Sequence, residues 1–414
     1  MAGRGRSKGD GERFSAFIEL LRRSHLIDPV GIQDAIAGAA KRMGWQLAGI
    51  FLADLEQRLL TRVGEPAFSE LDEDLPIDTT MAGRAFVSGD VHLGKVDGTA
   101  LVWVPMIDGT ARIGVMGIFV PGDPVADNDA LLALASLATL MVLAKSGYTD
   151  LFTAARRRKD MSLAAEMQWA RLPPLTLGTP RVAVAAIVEP AYALGGDAFD
   201  YALNGDVLHL AILDAMGHGL ESATAVSLAI GSLRHSRRRS LGLPDAYRAA
   251  DRALSDQFGS ERFVTAQIGQ LDVNTGRLSW LSAGHPPPLL LRGSKIVGYL
   301  PCQPSLPLGL GGGVESVTTT DLEPWDRLLF FTDGVVEGRR RGEPFGEERL
   351  ADTLARESLA GNGPAETLRR LSHAILDHEG HQLSDDFTLL LVEYRGSDAD
   401  QAPDSIRVAT QRTL

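Results

Sequence analysis

The sequence predicts an α+β protein: an N-terminal α/β sandwich, a helical linker, and a C-terminal β-sandwich flanked by helices. Three observations predict it. Short apolar runs bounded by turn residues alternate with amphipathic stretches in both halves. A long helical pattern separates the halves and stops at Pro173-Pro174. The 414 residues are 44% hydrophobic and 23% charged, a globular composition at a length suited to two or three domains.

The opening MAGRGRSKGDGERF is polar and rich in glycine and arginine, so residues 1–25 are expected to be a disordered leader without a signal peptide. Residues 26–145 form the first domain. There IQDAIAGAAKRMG reads as a helix and WQLAGIFLAD as a strand. ALVWVPMID (Ala100–Asp108) and ARIGVMGIFV (Ala111–Val120) read as two more strands, with Asp108-Gly109 as their hairpin turn. The apolar run Leu131–Ala144 is shorter than the roughly 20 residues a membrane-spanning helix needs. It is expected to be a buried or dimer-facing helix.

From Asn128 to Leu172 the pattern is helical almost throughout. Leucines recur at 131, 134, 137, 140 and 143, and Met161, Leu163, Met167 and Leu172 continue the series. Residues 146–174 therefore read as a helical linker able to pair in a homodimer. In residues 175–396, strand-like runs appear at VAVAAIV, VLHLAIL, FVTAQIGQLD, RLSWLSAG, RLLFF and FTLLLVEY, with helices expected near 219–236, 243–258, 346–359 and 364–378. Residues 397–414 read as a flexible tail.

The net charge of −12 argues against nucleic-acid binding, and the basic runs at 156–159, 237–239 and 339–341 read as solvated faces. The single cysteine, Cys302, excludes an intrachain disulfide and a cysteine zinc cluster and suits a cytoplasmic location.

Within the C-terminal domain a set of aspartates shares one placement. Asp214 ends VLHLAIL, Asp333 follows RLLFFT, Asp385 and Asp386 precede FTLLLVEY, and Asp197 and Asp200 sit in GGDAFDY. Each alone fits a turn or cap. Together they place several carboxylates at the rims of sheets, where like charges need counter-ions. Oxygen ligands without cysteine or paired histidine select Mg²⁺ or Mn²⁺.

Two resemblances sharpen this reading. MAGRAFVSGDVHLG and VWVPMIDGTARIGVMGIFV resemble the helix, strand and central hairpin of GAF domains, which implies a small-molecule ligand behind the hairpin. No cysteine stands where a bilin would attach, and His92 alone does not indicate haem. GGDAFDY, LDAMGHG, FVTAQIGQLDVNTGRL, SAGHPPPLLL, LPLGL, DRLLFFTDGVVEGR, FGEERL and SDDFTLLL resemble, in order, the PPM metal-dependent Ser/Thr protein phosphatases of the SpoIIE/RsbU-like branch.

That second resemblance implies a PPM-type β-sandwich holding two ions, Mn²⁺ or Mg²⁺. Asp214 would bridge them, the Ala215 carbonyl would join the second, Asp333 and Asp385 would hold the first, and Asp197 would act through bound water with Asp200 nearby. Asp385 and Asp386 differ by one alignment step. Two ions about 3.5–4 Å apart activate water for attack on a phosphomonoester without a covalent nucleophile. Met216 stands where eukaryotic relatives carry a histidine acid. His218 reads as a turn residue, His285 in AGHPPP as structural, and no phosphate-binding arginine is assigned. The implied substrate is a phosphorylated STAS-domain anti-anti-sigma factor, dephosphorylated under GAF-domain control, with no membrane partner. A non-catalytic scaffold of the same fold is the alternative. A nucleotide cyclase or hydrolase lacks support because no GxxxxGK[ST] loop is present.

Overall fold

Phe14, Phe17, Leu20 and Leu21 recur at helical spacing, and the expected leader is instead largely a helix, α1 (Lys8–Arg23). Its Ala16 and Leu20 are buried in the first core, which polar composition alone conceals. The structure is a computed structural model and describes residues 8–64, 71–96, 99–121, 128–193, 195–314, 316–340, 343–380, 383 and 385–396. The expected tail (397–414) lies outside the described residues. The chain divides into two units between Lys159 and Asp160.

In the N-terminal unit, α1 is followed by α2 (Ile32–Arg42), β1 (Gln46–Ala53), β2 (Leu59–Arg62), β3 (Asp74–Pro76), α3 (Met81–Ser88), β4 (His92–Val96), β5 (Thr99–Asp108), β6 (Ala111–Phe119), α4 (Asn128–Ser146) and α5 (Leu151–Arg156). One antiparallel sheet runs β3-β2-β1-β6-β5-β4. The Asp108-Gly109 signal holds: Asp108 pairs with Ala111 across a tight turn in which Gly109 has φ 60°. One face of the sheet packs α1, α2 and α4 through Ile36, Ile50, Val104 and Leu134. The other face, behind the hairpin, is filled by Phe51, Phe86, Trp103 and Val115 beneath α3.

The continuous linker helix is not formed. Breaks at residues 147–150 and 157–162 leave α4, α5 and the short α6 (Leu163–Trp169). By length and apolar composition α4 could cross a bilayer, but Leu131, Leu134, Leu137, Met141 and Val142 are buried in the N-terminal core. A leucine every third residue describes a helix buried on one side equally well, so periodicity alone cannot say what covers it. Ala165 of α6 lies in the core of the C-terminal unit.

The C-terminal unit continues with β7 (Thr176–Gly178), β8 (Val182–Glu189), β9 (Asp197–Asn204), β10 (Val207–Ala215), α7 (Leu220–Arg238), α8 (Leu243–Phe258), β11 (Val264–Asp272), β12 (Arg277–Ala283), β13 (Leu289–Arg292), β14 (Lys295–Tyr299), β15 (Pro304–Ser305), β16 (Thr318–Asp321), β17 (Arg327–Phe331), α9 (Gly334–Glu337), β18 (Arg339–Arg340), β19 (Glu343–Pro344), α10 (Gly346–Leu359), α11 (Pro364–Glu379) and β20 (Phe387–Tyr394). The first sheet runs β15-β12-β11-β10-β9, with β16 also on β12; the second runs β14-β13-β17-β20-β8-β7. Phe199, Leu210, Ile212, Trp280, Leu328, Phe330 and Val392 fill the space between them. Helices α7 and α8 cover the outer face of the first sheet, and α10 and α11 that of the second. The result is a helix–sheet–sheet–helix sandwich.

Arg327 of β17 is almost fully buried yet fully engaged. Its guanidinium donates to Glu393 at 2.8 Å, Ser358 Oγ at 2.9 Å and the Asn362 carbonyl at 2.9 Å. Arg327→Ala strands Glu393 without its principal partner inside the sandwich. Urea titration is expected to show a loss of about 3–5 kcal/mol. A loss inside the error of the measurement contradicts this account of β17.

Candidate metal centre

Register brings the first two carboxylates together. Asp197 opens β9, Asp214 lies near the end of β10, and the antiparallel ladder sets them directly opposite one another. Opposed Cβ atoms lie about 4.5–5.5 Å apart, close enough for like charges to repel. From the second sheet, β17 runs out through Thr332 to Asp333, and β20 begins just after Asp385 and Asp386. Thr332 ties the sheets: its hydroxyl donates to Asp197 Oδ2 at 2.6 Å and accepts the Thr388 N–H at 2.8 Å.

Asp386 has a different task from its neighbour. Its Oδ2 accepts three successive backbone N–H groups, from Gly195 (3.2 Å), Gly196 (2.8 Å) and Asp197 (3.1 Å). That cradle fixes the entry to β9 against the start of β20. Gly334 permits the approach, because a Cβ there would lie 2.1 Å from the Asp386 carbonyl oxygen. Beyond β10 the chain turns through Gly217 (φ 84°) and Gly219 (φ 83°) into α7, conformations that side chains disfavour.

His285 is a further tie between sheets. Its Nδ1 lies 2.7 Å from Thr265 Oγ1, and Thr265 is the partner of Asp214 in the β10–β11 ladder. Its Nε2 lies 3.1 Å from the Phe331 carbonyl, at the end of β17. A carbonyl only accepts, so Nε2 carries the proton and Nδ1 accepts from Thr265. Burial pushes the imidazole down to about 3, so the ring stays neutral at physiological pH. The expected structural role for His285 is met, across a longer span than a local turn.

The carboxylates raise one another. Asp197 is 2% exposed and sits well above the usual carboxylate range, first through burial and then through Asp214, Asp386 and Asp333, against the opposing Thr332 bond. Asp214 is raised to about 7 by burial, then by Asp333, Asp386 and Asp385. Asp385 is raised to about 6 by burial and by Asp386. All five thus occupy one electrostatic neighbourhood of hard oxygen donors, the environment a divalent cation relieves. Among the described residues no three His, Cys, Asp or Glu side chains stand ready to hold one ion. Ligation therefore requires side-chain rotation, as for Asp197, whose Oδ2 now takes the Thr332 hydroxyl. The donor set fits a hard cation; the finished coordination sphere is not preformed.

The remaining candidates separate cleanly. Ala215 is buried and donates its N–H to the Gly196 carbonyl at 2.9 Å. Its own carbonyl oxygen needs a glycine at 196, where a Cβ would lie 2.8 Å from it. Met216 and His218 are exposed on the turn. Asp200 is not brought to the site. Three residues beyond Asp197, it points to the other face of β9 and is held by Arg234 (2.7 and 2.9 Å) and Arg237 (2.7 Å) of α7.

Residues 204–395 match the family described as Stage II sporulation protein E (SpoIIE), a span that holds Asp214, Asp333 and Asp385 and begins after Asp197. The chain is 22% identical over 236 residues to phosphoserine phosphatase RsbU of Bacillus subtilis (strain 168), covering 57% of this chain and 70% of that protein. The C-terminal unit is a SpoIIE/RsbU-like phosphatase domain of the PPM family. A second relative, phosphoserine phosphatase RsbP of the same organism, is 25% identical over 246 residues, 58% of each chain. Among solved structures, the RsbU and RsbW domains of Rv1364c from Mycobacterium tuberculosis are 32% identical, covering 52% of this chain and 62% of that one, with a TM-score of 0.47.

In this phosphatase domain the raised carboxylates carry a signed pH dependence. The folded, metal-free protein holds protons on Asp214 and Asp385 that the unfolded chain releases near 3.8. Their contribution to stability is thus lost as pH rises from about 4 to about 7. Apparent Mn²⁺ affinity should rise over the upper part of that window, with proton release in calorimetry. Asp214→Asn is expected to raise the melting temperature of the metal-free protein above neutral pH by about 2–4 °C. It should also remove the Mn²⁺-dependent gain. A variant no more stable than wild type in EDTA contradicts the repulsion.

Proposed function

We propose that this chain is a metal-dependent phosphoprotein phosphatase acting on phosphoserine or phosphothreonine. The observation that carries the reading is the convergence of Asp197, Asp214, Asp333 and Asp385 where two sheets end, with Asp197, Asp214 and Asp385 raised by burial and by the neighbouring carboxylates. Asp214, Asp333, Asp385, the Ala215 carbonyl and Asp197 are the groups that would hold divalent ions, Mn²⁺ or Mg²⁺. Such ions would supply Lewis acidity for phosphomonoester hydrolysis by water. The protein's own part is positioning. Thr332 and His285 hold the two sheets in register, and Asp386 fixes the strand that carries Asp197.

The substrate in this reading is a phosphorylated STAS-domain anti-anti-sigma factor in a cytoplasmic partner-switching pathway. The phosphoserine phosphatase names of RsbU and RsbP support the phosphoserine part of it. The N-terminal unit is proposed as a GAF-type regulator that also brings two chains together, a reading its sheet order β3-β2-β1-β6-β5-β4 and flanking helices support. A small-molecule ligand there would need Phe51, Phe86 or Trp103 to move, since these fill the face behind the hairpin.

With Mn²⁺, the purified chain should release phosphate from p-nitrophenyl phosphate and from a phosphorylated STAS protein. Asp214→Asn should lower the rate at least about 100-fold, as loss of a metal-site residue does. Equal rates for variant and wild type overturn the assignment of Asp214. No turnover by wild type on either substrate overturns the enzyme reading in favour of a binding scaffold.

A further inference from the structure

Arg262 stands at the edge of the acidic site with a fixed backbone and an exchangeable head. The two residues that follow it in sequence are clamped. Met216 donates its N–H to the Phe263 carbonyl at 3.1 Å, and Val264 exchanges two hydrogen bonds with Leu308 at 2.8 and 2.9 Å. The loop holding Leu308 is itself pinned from α8, where buried Asp251 accepts the N–H groups of Gly309 (2.8 Å) and Gly311 (3.1 Å). The guanidinium then reaches over the turn that follows Asp214, with Nη1 3.3 Å from the Met216 carbonyl. Its other amino group pairs with Glu221, in the first turn of α7.

That pair differs in kind from the other arginine pairs of α7. Arg234 and Arg237 serve Asp200, which is 2% exposed and could not survive unpartnered. Glu221 is 70% exposed and Arg262 29% exposed on their side chains. An exposed pair of this sort contributes little and is readily exchanged. A phosphomonoester dianion approaching the five carboxylates meets a strongly negative field. A guanidinium offers it two parallel charge-assisted hydrogen bonds, a stronger match than one carboxylate makes.

Resting on the phosphatase reading, we propose that Arg262 is the residue that receives and positions the substrate's phosphate group, and that Glu221 is the internal anion it displaces. Arg262 binds and orients; it does not transfer a proton or form a bond to phosphorus. Specificity for a doubly charged phosphate follows, because a singly charged competitor gains less from leaving Glu221 in water.

The test uses the full chain loaded with Mn²⁺, with inorganic phosphate as the probe in titration calorimetry and the phosphorylated STAS protein in steady-state kinetics. Arg262→Ala should weaken phosphate binding and raise KM by about tenfold or more, with a smaller change in kcat, as loss of a charge-assisted bidentate contact does. Arg262→Lys should fall between. Glu221→Gln should tighten phosphate binding several-fold, which a merely structural ion pair would not do. Unchanged phosphate binding in Arg262→Ala, absence of phosphate binding by wild type, or weakened binding in Glu221→Gln overturns the proposal. Phosphate binding that depends on Arg262 in a chain without turnover supports it while overturning the phosphatase reading, so the two failures are distinguishable.

Discussion

Five carboxylates gathered where two sheets end set the terms for the rest of the C-terminal domain. Asp197 and Asp214 face each other across one ladder, and Asp333, Asp385 and Asp386 arrive from the other sheet. Charges this close, in a site where Asp197 is almost fully buried, cannot all ionise without a cation or protons. The surrounding groups do not neutralise them. They hold them in place: Thr332 by its hydroxyl, Asp386 by its cradle of three N–H groups, His285 by a neutral ring spanning both sheets. A site built this way stores repulsion that a divalent ion can release.

The contrast with the body of the sandwich is informative. There, buried charges are paired and satisfied, as Arg327 is by Glu393, Ser358 and the Asn362 carbonyl, and Asp200 by two arginines. Those pairs lock β17 to β20 and β9 to α7, the strands that end in the site. Removing a partner from such a pair is costly, whereas replacing the whole pair by apolar groups is often tolerated. Paired charges therefore serve as scaffold, and the mutually repelling ones mark where chemistry is to be done.

Much of this is legible in the sequence, for a physical reason in each case. Helices α7, α8, α10 and α11 fall within about two residues of their expected ends because their apolar faces are periodic and their starts are marked, as by Gly242 before Pro244 and Gly363 before Pro364. Asp214 and Asp333 are visible because each ends an apolar run. Their convergence is not, since it depends on which strands become neighbours, information that spacing does not carry. Residues 8–23 mislead because charged positions on the outer face of α1 dominate its composition while Ala16 and Leu20 go inward. The linker misleads for the opposite reason: its leucines are regular, but Leu131, Leu134 and Leu137 belong to the N-terminal core while Leu140 and Leu143 are exposed. His285 stands out as structural, yet its reach to Phe331 spans 46 positions and no local pattern announces it.

Asp385 and Asp386 show how environment divides labour between identical side chains. A one-residue shift in alignment exchanges them, and composition cannot choose. The structure separates them by hydrogen bonding. Asp386 spends one oxygen on three backbone N–H groups, an arrangement that fixes the carboxylate in place. Asp385 lies on the exposed side, accepts the N–H of Asp386 at 3.0 Å, and is raised to about 6 by partial burial and by its neighbour. A group that is accessible, lightly held and near the point of ionisation is the one suited to exchange a proton for a cation. In this proposal Asp385 takes the ligand's role because Asp386 has already been used to build the floor on which Asp197 stands.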